Sequence, residues 1–256
     1  MTAVFVHGNP ESAAIWTALL DELAKVGNTD TVCLSPPGFG APLPDHFAID
    51  VTGYRDWLIA ELERFNGPVH LVGHDWGGGH VVNVAMTRPD LLRSWASDAI
   101  GIFDPHYVWH DLAQRWQADG VGEADVAAQF GAPHEEKTEQ MVSLGFERSV
   151  AEHVAHAQNP DMGRALLGLY RTARQPAMAE FGRALPDAAA RPGLALVASE
   201  DHYVGSVAQR RRAAARARAR VEVLEGCGHW WMAEAPAEAA DVLTRFWASA
   251  PDRVRI

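Results

Sequence analysis

The sequence contains little cysteine, few tyrosines and no long apolar run. Its 256 residues include only two cysteines, Cys33 and Cys227, which form at most one disulfide and lack the spacing of metal ligands. No apolar run reaches the ~18 residues of a membrane span, and the first residues carry no basic leader of the kind found in signal peptides. We therefore expect a soluble, cytoplasmic protein that contacts no membrane and carries no metal or cofactor.

Basic residues are also scarce relative to acidic ones. The chain has 22 Lys and Arg against 33 Asp and Glu, a formal net charge of −11, which repels the phosphate backbone of nucleic acids. The Ala/Arg run at residues 210–220 is typical of the solvated face of a helix. Hydrophobic residues make up 48% of the chain, enough to build one large core. The expected partner is a small molecule, and the sequence fits a monomer or a homodimer.

Short apolar segments alternate with longer segments of helical periodicity, which indicates an α/β fold with a mostly parallel sheet. The predicted strands are Ala3–Val6, Thr31–Leu34, Val69–Val72, Ser94–Ala99, Leu194–Ala198 and Val221–Leu224. Helices are predicted over Ile15–Val26, Val51–Phe65 and Pro236–Ser249.

The segment between the fourth and fifth predicted strands has no strand pattern and is too long for a simple crossover. Its predicted helices are Val108–Ala118, Glu135–Leu144, Ser149–Ala157 and Met162–Thr172. We interpret residues 102–186 as a helical cap inserted into a core formed by residues 1–101 and 187–256, because long insertions of this kind carry function.

The strongest chemical signal lies in residues 69–78, where an apolar strand leads through Gly73-His74-Asp75-Trp76-Gly77 into a helix. This strand–turn–helix context is that of a nucleophile elbow, with Asp75 in the position of the nucleophile. The glycines fit this interpretation because the elbow residue has a strained backbone that bulky neighbours would hinder. The alternative is a tight turn in which Asp75 caps the helix.

Two later strands end beside residues of catalytic type. Asp201 follows the fifth predicted strand, and His229 follows the sixth. Because the carboxyl ends of parallel strands share one edge of the sheet, Asp75, Asp201 and His229 are predicted to meet there. Asp98, at the end of the fourth strand, is an alternative acid for His229.

Together with His7-Gly8-Asn9-Pro10 and residues 36–40, these motifs resemble the α/β-hydrolase superfamily. Within it the chain resembles the branch with an aspartate nucleophile, the epoxide hydrolases and haloalkane dehalogenases. The resemblance covers the core and extends to the cap by position only. It implies the α/β-hydrolase fold with a sheet shortened to about six strands, because the family usually has two strands before the first one seen here. It also implies that the backbone N–H groups of Asn9 and Trp76 form an oxyanion hole.

An aspartate at the elbow favours substrates that are attacked at an sp³ carbon. Attack by serine would give an ether that water does not cleave, whereas a carboxylate gives an ester that can be hydrolysed. Asp75, with an ordinary pKa of ~3.9, needs no base to ionise it at neutral pH. His229, oriented by Asp201, would then deprotonate the water that cleaves the ester.

The leaving group distinguishes two activities. An epoxide oxygen needs a proton, and Tyr170 resembles the proton-donating tyrosine of epoxide hydrolase caps, with Tyr107 as a second donor. A halide needs N–H donors, and the Asn9 amide with the Trp76 indole resembles the halide-binding pair of haloalkane dehalogenases. We favour conversion of epoxides to vicinal diols, with haloalkane dehalogenation as the alternative. A non-catalytic small-molecule receptor of the same fold is a third possibility.

Aromatic residues indicate an apolar or aromatic substrate, since concave binding sites are mostly apolar. The residues predicted to contact it are Trp109, Trp116, Phe39 and Trp230.

Overall fold

A six-stranded, all-parallel sheet forms the centre of the structure, a computed structural model that describes residues 1–250. Residues 251–256, the end of the predicted core segment 187–256, lie outside the described residues. The strands are β1 (Ala3–Val6), β2 (Thr31–Leu34), β3 (Val69–Gly73), β4 (Leu92–Ser97), β5 (Gly193–Ala198) and β6 (Arg220–Leu224). Their order is β2-β1-β3-β4-β5-β6, and every neighbouring pair is parallel. The predicted α/β-hydrolase fold with about six strands is confirmed, and β2 lies at one edge of the sheet.

Strand β4 lies two residues earlier than predicted. Leu92 pairs with Val69, so the strand begins before Ser94. It ends at Ser97 because the hydroxyl oxygen of Ser97 accepts the Ala99 N–H at 3.1 Å and turns the chain away from the sheet. Asp98 therefore lies in the turn after the strand.

Helices cover both faces of the sheet and fill the long connection between β4 and β5. They are α1 (Thr17–Lys25), α2 (Val51–Leu62), α3 (Asp75–Thr87), α4 (Asp111–Gln117), α5 (Val121–Gly131), α6 (His134–Ser143), α7 (Arg148–Ala157), α8 (Pro160–Thr172), α9 (Ala177–Phe181), α10 (Val207–Arg216), α11 (Trp231–Glu234) and α12 (Pro236–Ser249). The sequence did not predict α5, whose buried positions Gly122, Val126 and Phe130 recur every four residues but include only two large apolar side chains.

Local capping fixes where several helices begin. The Asp50 carboxylate accepts the N–H groups of Thr52 and Gly53, both at 2.8 Å, at the start of α2. At the start of α8 the Asn159 side chain accepts the Met162 N–H at 3.0 Å, and Pro160 occupies the first-turn position that needs no donor. These caps explain why the predicted starts of both helices are nearly correct.

Alternating side chains of β1 supply the two hydrophobic layers. Val4 and Val6 lie in one layer, and Ala3 and Phe5 lie in the other, all of them buried. Full burial of a side chain such as Phe5 contributes roughly 1.5–3 kcal/mol to stability. This rigid double layer holds the carboxyl ends of the strands, where the site lies.

Between β4 and β5 the described chain is helical and contains no strand. Helices α4, α5 and α8 pack on one another, and α6 packs on α7. The side-chain amide of Gln158 donates to the Pro10 carbonyl at 3.0 Å, which joins this helical segment to the loop after β1. Within residues 1–250 no helix has the length and apolarity needed to cross a membrane.

Candidate active site

Asp75 lies at a strained turn between β3 and α3. Its φ is +50°, a left-handed conformation that is costly for a residue with a Cβ. The surrounding backbone is too close for side chains: a Cβ on Gly77 would lie 2.2 Å from the Val6 carbonyl oxygen, and a Cβ on Gly73 2.4 Å from that of Gly77. The glycines of the motif therefore allow the turn that presents Asp75 beyond the sheet edge.

His229 and Asp201 meet Asp75 at this edge. The His229 Nδ1 atom hydrogen-bonds to Oδ2 of Asp201 at 2.9 Å, and its Nε2 atom lies 3.8 Å from Oδ2 of Asp75. All three residues are buried. The turns after β3, β5 and β6 thus bring together the three residues that the sequence singled out.

Asp98 does not orient His229, so that alternative is wrong. Its Oδ2 atom accepts hydrogen bonds from Nδ1 of His74 at 2.5 Å and from Nε1 of Trp231 at 2.6 Å. Its Oδ1 atom accepts the backbone N–H of Asp75 at 2.9 Å. Both oxygens of Asp98 are thus bound to the elbow and to Trp231, and the Nδ1 atom of His229 is bound to Asp201 instead.

The loop after β1 supplies a donor to Asp75. The backbone N–H of Asn9 donates to Oδ1 of Asp75 at 3.0 Å, and the buried side-chain Nδ2 atom of Asn9 has no partner among the described residues. Gly8 permits this approach, since a Cβ there would lie 2.3 Å from the Asp75 Cβ. Trp76 follows Asp75 in the first turn of α3, where a backbone N–H has no intrahelical partner.

The charges of the three residues are coupled. Burial raises the pKa of Asp75, while the charges of His229 and His74 oppose that rise. Burial likewise opposes ionisation of Asp201, but the charge and hydrogen bond of His229 hold the pKa of Asp201 well below its usual range. For His229 burial lowers the pKa, and Asp201 outweighs it, so the pKa is raised. Asp201 is therefore an anion that stabilises a protonated His229.

The two predicted proton donors differ in their surroundings. Tyr170 is buried, lines the same cavity as Asp75, and has a hydrogen bond from the Trp76 side chain. Burial, reinforced by the Asp75 charge, raises the pKa of Tyr170 well above its usual range, so the phenol stays protonated. Tyr107 instead donates its hydroxyl to the Tyr203 carbonyl at 2.7 Å. This bond to the backbone gives no support to the predicted role of Tyr107 as a second donor.

A cavity of about 150 Å³ opens beside Asp75 and His229. Its wall combines aromatic and aliphatic side chains with polar ones. The lining includes Asn9, Glu11, Asp75, His110, Leu112, Trp116, Gln129, Met141, Leu144, Gln158, Tyr170, Tyr203, His229 and Trp230.

Of the four predicted substrate contacts, Trp116 and Trp230 line this cavity. Trp109 lines a small adjoining cavity and stacks on Trp76, with ring centroids 5.6 Å apart. Phe39 is wrong as a contact, because its ring packs in the core against Tyr54 at 5.8 Å and lines neither cavity.

Two residues of the site were not assigned a role from the sequence. Glu11 is 1% exposed, and its Oε1 atom accepts the Trp230 indole N–H at 2.6 Å and hydrogen-bonds to Nε2 of His74 at 3.2 Å. His74 is fully buried. The sequence offered one clue to this pair, the position of His74 immediately before the elbow residue. A histidine buried at that position needs hydrogen-bond partners for both ring nitrogens.

Glu11, His74 and His229 also form a group that could be considered as a metal site. In the described part of the chain, their potential ligand atoms lie within 4.8 Å of one another. The His74 Nδ1 atom is bonded to Asp98, however, and its Nε2 atom is bonded to Glu11. Although burial opposes it, these two carboxylates raise the pKa of His74 well above its ordinary value. The set is therefore a hydrogen-bonded ion cluster with no free His74 nitrogen for a metal.

Known proteins resemble this chain in sequence and in fold. The sequence matches the alpha/beta hydrolase family over residues 3–242. It is 31% identical over 122 residues to a haloalkane dehalogenase of Mesorhizobium japonicum, a match that covers 46% of this chain and 37% of that protein. It is also 31% identical over 100 residues to an epoxide hydrolase of Caballeronia sordidicola, covering 36% of this chain and 28% of that one. The chain thus spans less than half the length of these curated relatives.

Among solved structures, that of E-2-(acetamidomethylene)succinate hydrolase aligns with a TM-score of 0.73 over 97% of this chain and 91% of that one. The sequence identity in this alignment is 17%. The likeness is therefore one of fold.

Proposed function

Because the chain belongs to the alpha/beta hydrolase family, we propose that it is a hydrolase in which Asp75 forms a covalent alkyl ester, and that its substrates are epoxides. The ester mechanism is supported by the position of the carboxylate at the elbow, within 3.8 Å of the His229 Nε2 atom. A carboxylate in this position can attack a saturated carbon and can later be released by water at its own carbonyl carbon.

The two carboxylate oxygens of Asp75 have different surroundings, which supports different roles for them in the reaction. The Oδ1 atom accepts the Asn9 N–H, so it is the oxygen that carries negative charge when water adds to the ester. The Oδ2 atom faces His229 and is the nucleophile. It attacks the epoxide carbon, the C–O bond of the ring breaks, and the alkoxide takes the proton of Tyr170.

The second half of the reaction restores the protein. His229, held by Asp201, takes a proton from water, and the resulting hydroxide adds to the Asp75 carbonyl carbon. Collapse of this intermediate breaks the bond between the Asp75 carbonyl carbon and Oδ2, and Oδ2 leaves as a hydroxyl of the diol with the proton from His229. Asp75, now a carboxylic acid, loses a proton to solvent and the Tyr170 phenolate takes one up, so the net reaction is epoxide plus water to vicinal diol.

The choice of an epoxide depends on one observation, the neutral phenol of Tyr170 on the wall shared with Asp75. An alkoxide is a poor leaving group and needs an acid, whereas a halide needs none. The Tyr170 ring packs edge-to-face on Trp76, with centroids 5.5 Å apart, and a phenol oxygen that accepts an indole N–H still has its own proton to donate.

Haloalkane dehalogenation is the second candidate, and the amide of Asn9 supports it. Its Nδ2 atom is buried beside Asp75 without a partner in residues 1–250, as expected for a donor that awaits an anion. To complete a halide site, the Trp76 N–H would have to turn from Tyr170 to the halide. A relative named haloalkane dehalogenase also favours this candidate.

We also propose that residues 102–186 act as a cap over the site. This segment contributes His110, Trp116, Gln158 and Tyr170 to the cavity wall. A substrate held there is enclosed between the cap and the strand ends, which excludes bulk water from the ester.

The test is an assay of the purified protein on styrene oxide and on 1,2-dibromoethane, followed through diol and bromide. A single turnover of styrene oxide in H₂¹⁸O is expected to place ¹⁸O in the Asp75 carboxylate and none in the first diol released. Label in the first diol would mean direct attack by water and would contradict the ester mechanism. Bromide release without diol would select the dehalogenase. If neither compound is turned over and no ester forms on Asp75, the result would favour a receptor.

A further inference from the structure

A second group of buried ionisable residues, Glu11, His74 and Asp98, lies directly behind Asp75 and His229. Glu11 is 1% exposed, and His74 and Asp98 are fully buried. The His74 ring connects the two acids, with Nδ1 2.5 Å from Asp98 Oδ2 and Nε2 3.2 Å from Glu11 Oε1. The reaction steps above use none of these three side chains.

The hydrogen bonds of this group fix its charge. Both oxygens of Glu11 and both of Asp98 accept a hydrogen bond from an N–H group, an environment that favours two carboxylates. Each ring nitrogen of His74 faces one of these acceptors and must carry a proton, which makes the ring an imidazolium. The low pKa of Glu11, about 2, agrees with this assignment, since the charge and hydrogen bond of His74 outweigh the burial that raises it.

The same two acids hold the three loops of the site. Glu11 accepts the Gly8 N–H at 3.1 Å, next to the Asn9 donor, and Asp98 accepts the Asp75 N–H at 2.9 Å. The Trp230 indole donates to Glu11, and the Trp231 indole donates to Asp98, both at 2.6 Å. These tryptophans directly follow His229. One cluster therefore connects the loop after β1, which carries the Asn9 donor, the elbow at Asp75, and the loop after β6, which carries His229.

We propose that Glu11, His74 and Asp98 are positioning residues in which a permanent His74 imidazolium ties these three loops together and opposes protonation of His229. The inference rests on the proposed roles of Asp75 and His229, but its test requires no turnover. The two imidazole rings lie with their centroids 4.5 Å apart and their planes tilted by 53°, so a charge on one disfavours a charge on the other.

Several groups act on His229 together. Asp201, Asp75 and Glu11 favour its charged form, and His74 opposes it. His110 also faces it, but burial lowers the pKa of His110 to about 4, so that ring is neutral. His7, on the other side of His74, has a pKa lowered by burial. His74 is therefore the cation that offsets the three surrounding carboxylates.

The test uses histidine labelled with ¹⁵N in the free protein and follows ring nitrogens by NMR across pH. In the wild type the His74 signals, assigned by their loss in His74→Gln, should remain those of an imidazolium at neutral pH. In His74→Gln the titration of His229 should shift to higher pH. The matched control is His80→Gln, which removes a buried histidine of α3, the helix that His74 precedes, and the Nδ1 atom of His80 has no partner in residues 1–250. This control should leave the His229 titration in place.

A second variant keeps the test decisive if His74→Gln does not fold. Glu11→Gln removes one of the two acids and should shift the titration of His74 to lower pH. A wild-type His74 that is singly protonated at pH 7, or titrations that do not move in either variant, would overturn the proposal. A change in the wild-type titration on adding EDTA would also overturn it, because the ring would then be a metal ligand. Absence of any ester on Asp75 would instead count against the proposed function alone.

Discussion

The Nε2 atom of His229 lies 3.8 Å from Oδ2 of Asp75, beyond a direct hydrogen bond, while its Nδ1 atom is fixed by Asp201 at 2.9 Å. A base that activated its neighbour as a nucleophile would need to contact it directly. Asp75 needs no such base, because a carboxylate ionises on its own. The separation suits a base that acts on water after the ester has formed, so the two halves of the reaction can be separated by mutation.

His229→Gln should therefore stop the reaction at the ester. Alkylation of Asp75 does not require the imidazole, but release of the product does, so the variant should accumulate one substrate-derived group per chain. Mass spectrometry after incubation with styrene oxide measures the adduct and locates it on the peptide that contains Asp75. The double variant with Asp75→Asn is the control and should carry no adduct. Repeated turnover by His229→Gln would show that another group is the base.

Asp201→Asn and Asp98→Asn should have different effects. Asp201→Asn removes the acceptor that orients His229 and should lower the rate roughly 10⁴-fold with little loss of stability. Asp98→Asn weakens a buried ion pair and the support of the elbow, so it should lower the free energy of unfolding by roughly 3–5 kcal/mol. Steady-state kinetics and urea unfolding measure the two effects. A stable Asp98→Asn protein that is more inactive than Asp201→Asn would contradict this assignment.

The backbone strain at Asp75 can be measured by comparing two inactive variants. Asp75→Ala keeps a Cβ in the left-handed region at φ +50°, whereas Asp75→Gly does not. The Gly variant should be more stable than the Ala variant by about 1 kcal/mol, the usual cost of that conformation for a residue with a Cβ. Urea unfolding of both proteins provides the comparison. Equal stability would mean that the elbow stores no strain.

The dependence of activity on pH follows from His229, which must be neutral to accept a proton. Its pKa is raised above 6.5, since Asp201 outweighs burial, so the neutral fraction decreases as the pH falls through a value above 6.5. Ester formation removes the charge of Asp75, a group that raises the pKa of His229. Hydrolysis of a preformed ester should therefore persist to lower pH than the titration of free His229 would suggest. Stopped-flow measurement of the rate of ester hydrolysis across pH tests this prediction. A rate that falls at or above the pH at which free His229 titrates would contradict it.

Much of this site could be predicted because its residues follow strands in the sequence. Asp75, Asp201 and His229 each lie in a turn at the carboxyl end of a buried strand, and a parallel sheet brings such turns together. That argument uses only strand positions and strand direction, and both are encoded in short apolar runs.

The remaining features depend on contacts between distant parts of the chain. Glu11 is charged and lies in a loop, so its sequence context indicates exposure, but His74 and Trp230 bury it. Tyr107 lies in the right segment, but the Tyr203 carbonyl binds its hydroxyl. Phe39 lies in residues 36–40, a motif that resembles the family, but its ring packs in the core. No local pattern records the direction of these side chains.

The last prediction concerns the leaving group and compares two variants. Tyr170→Phe keeps the ring packed against Trp76 and Trp116 but removes the only proton donor proposed for the epoxide oxygen. Removing a comparable donor costs roughly 10²–10³ in rate elsewhere, so diol formation from styrene oxide should fall by about that factor. Bromide release from 1,2-dibromoethane, if present, should not fall, since a halide leaves without a proton. Asn9→Ala removes the unpartnered Nδ2 donor but keeps the backbone N–H, and should harm only bromide release. An enzyme that is indifferent to Tyr170→Phe but disabled on the bromide by Asn9→Ala is a dehalogenase.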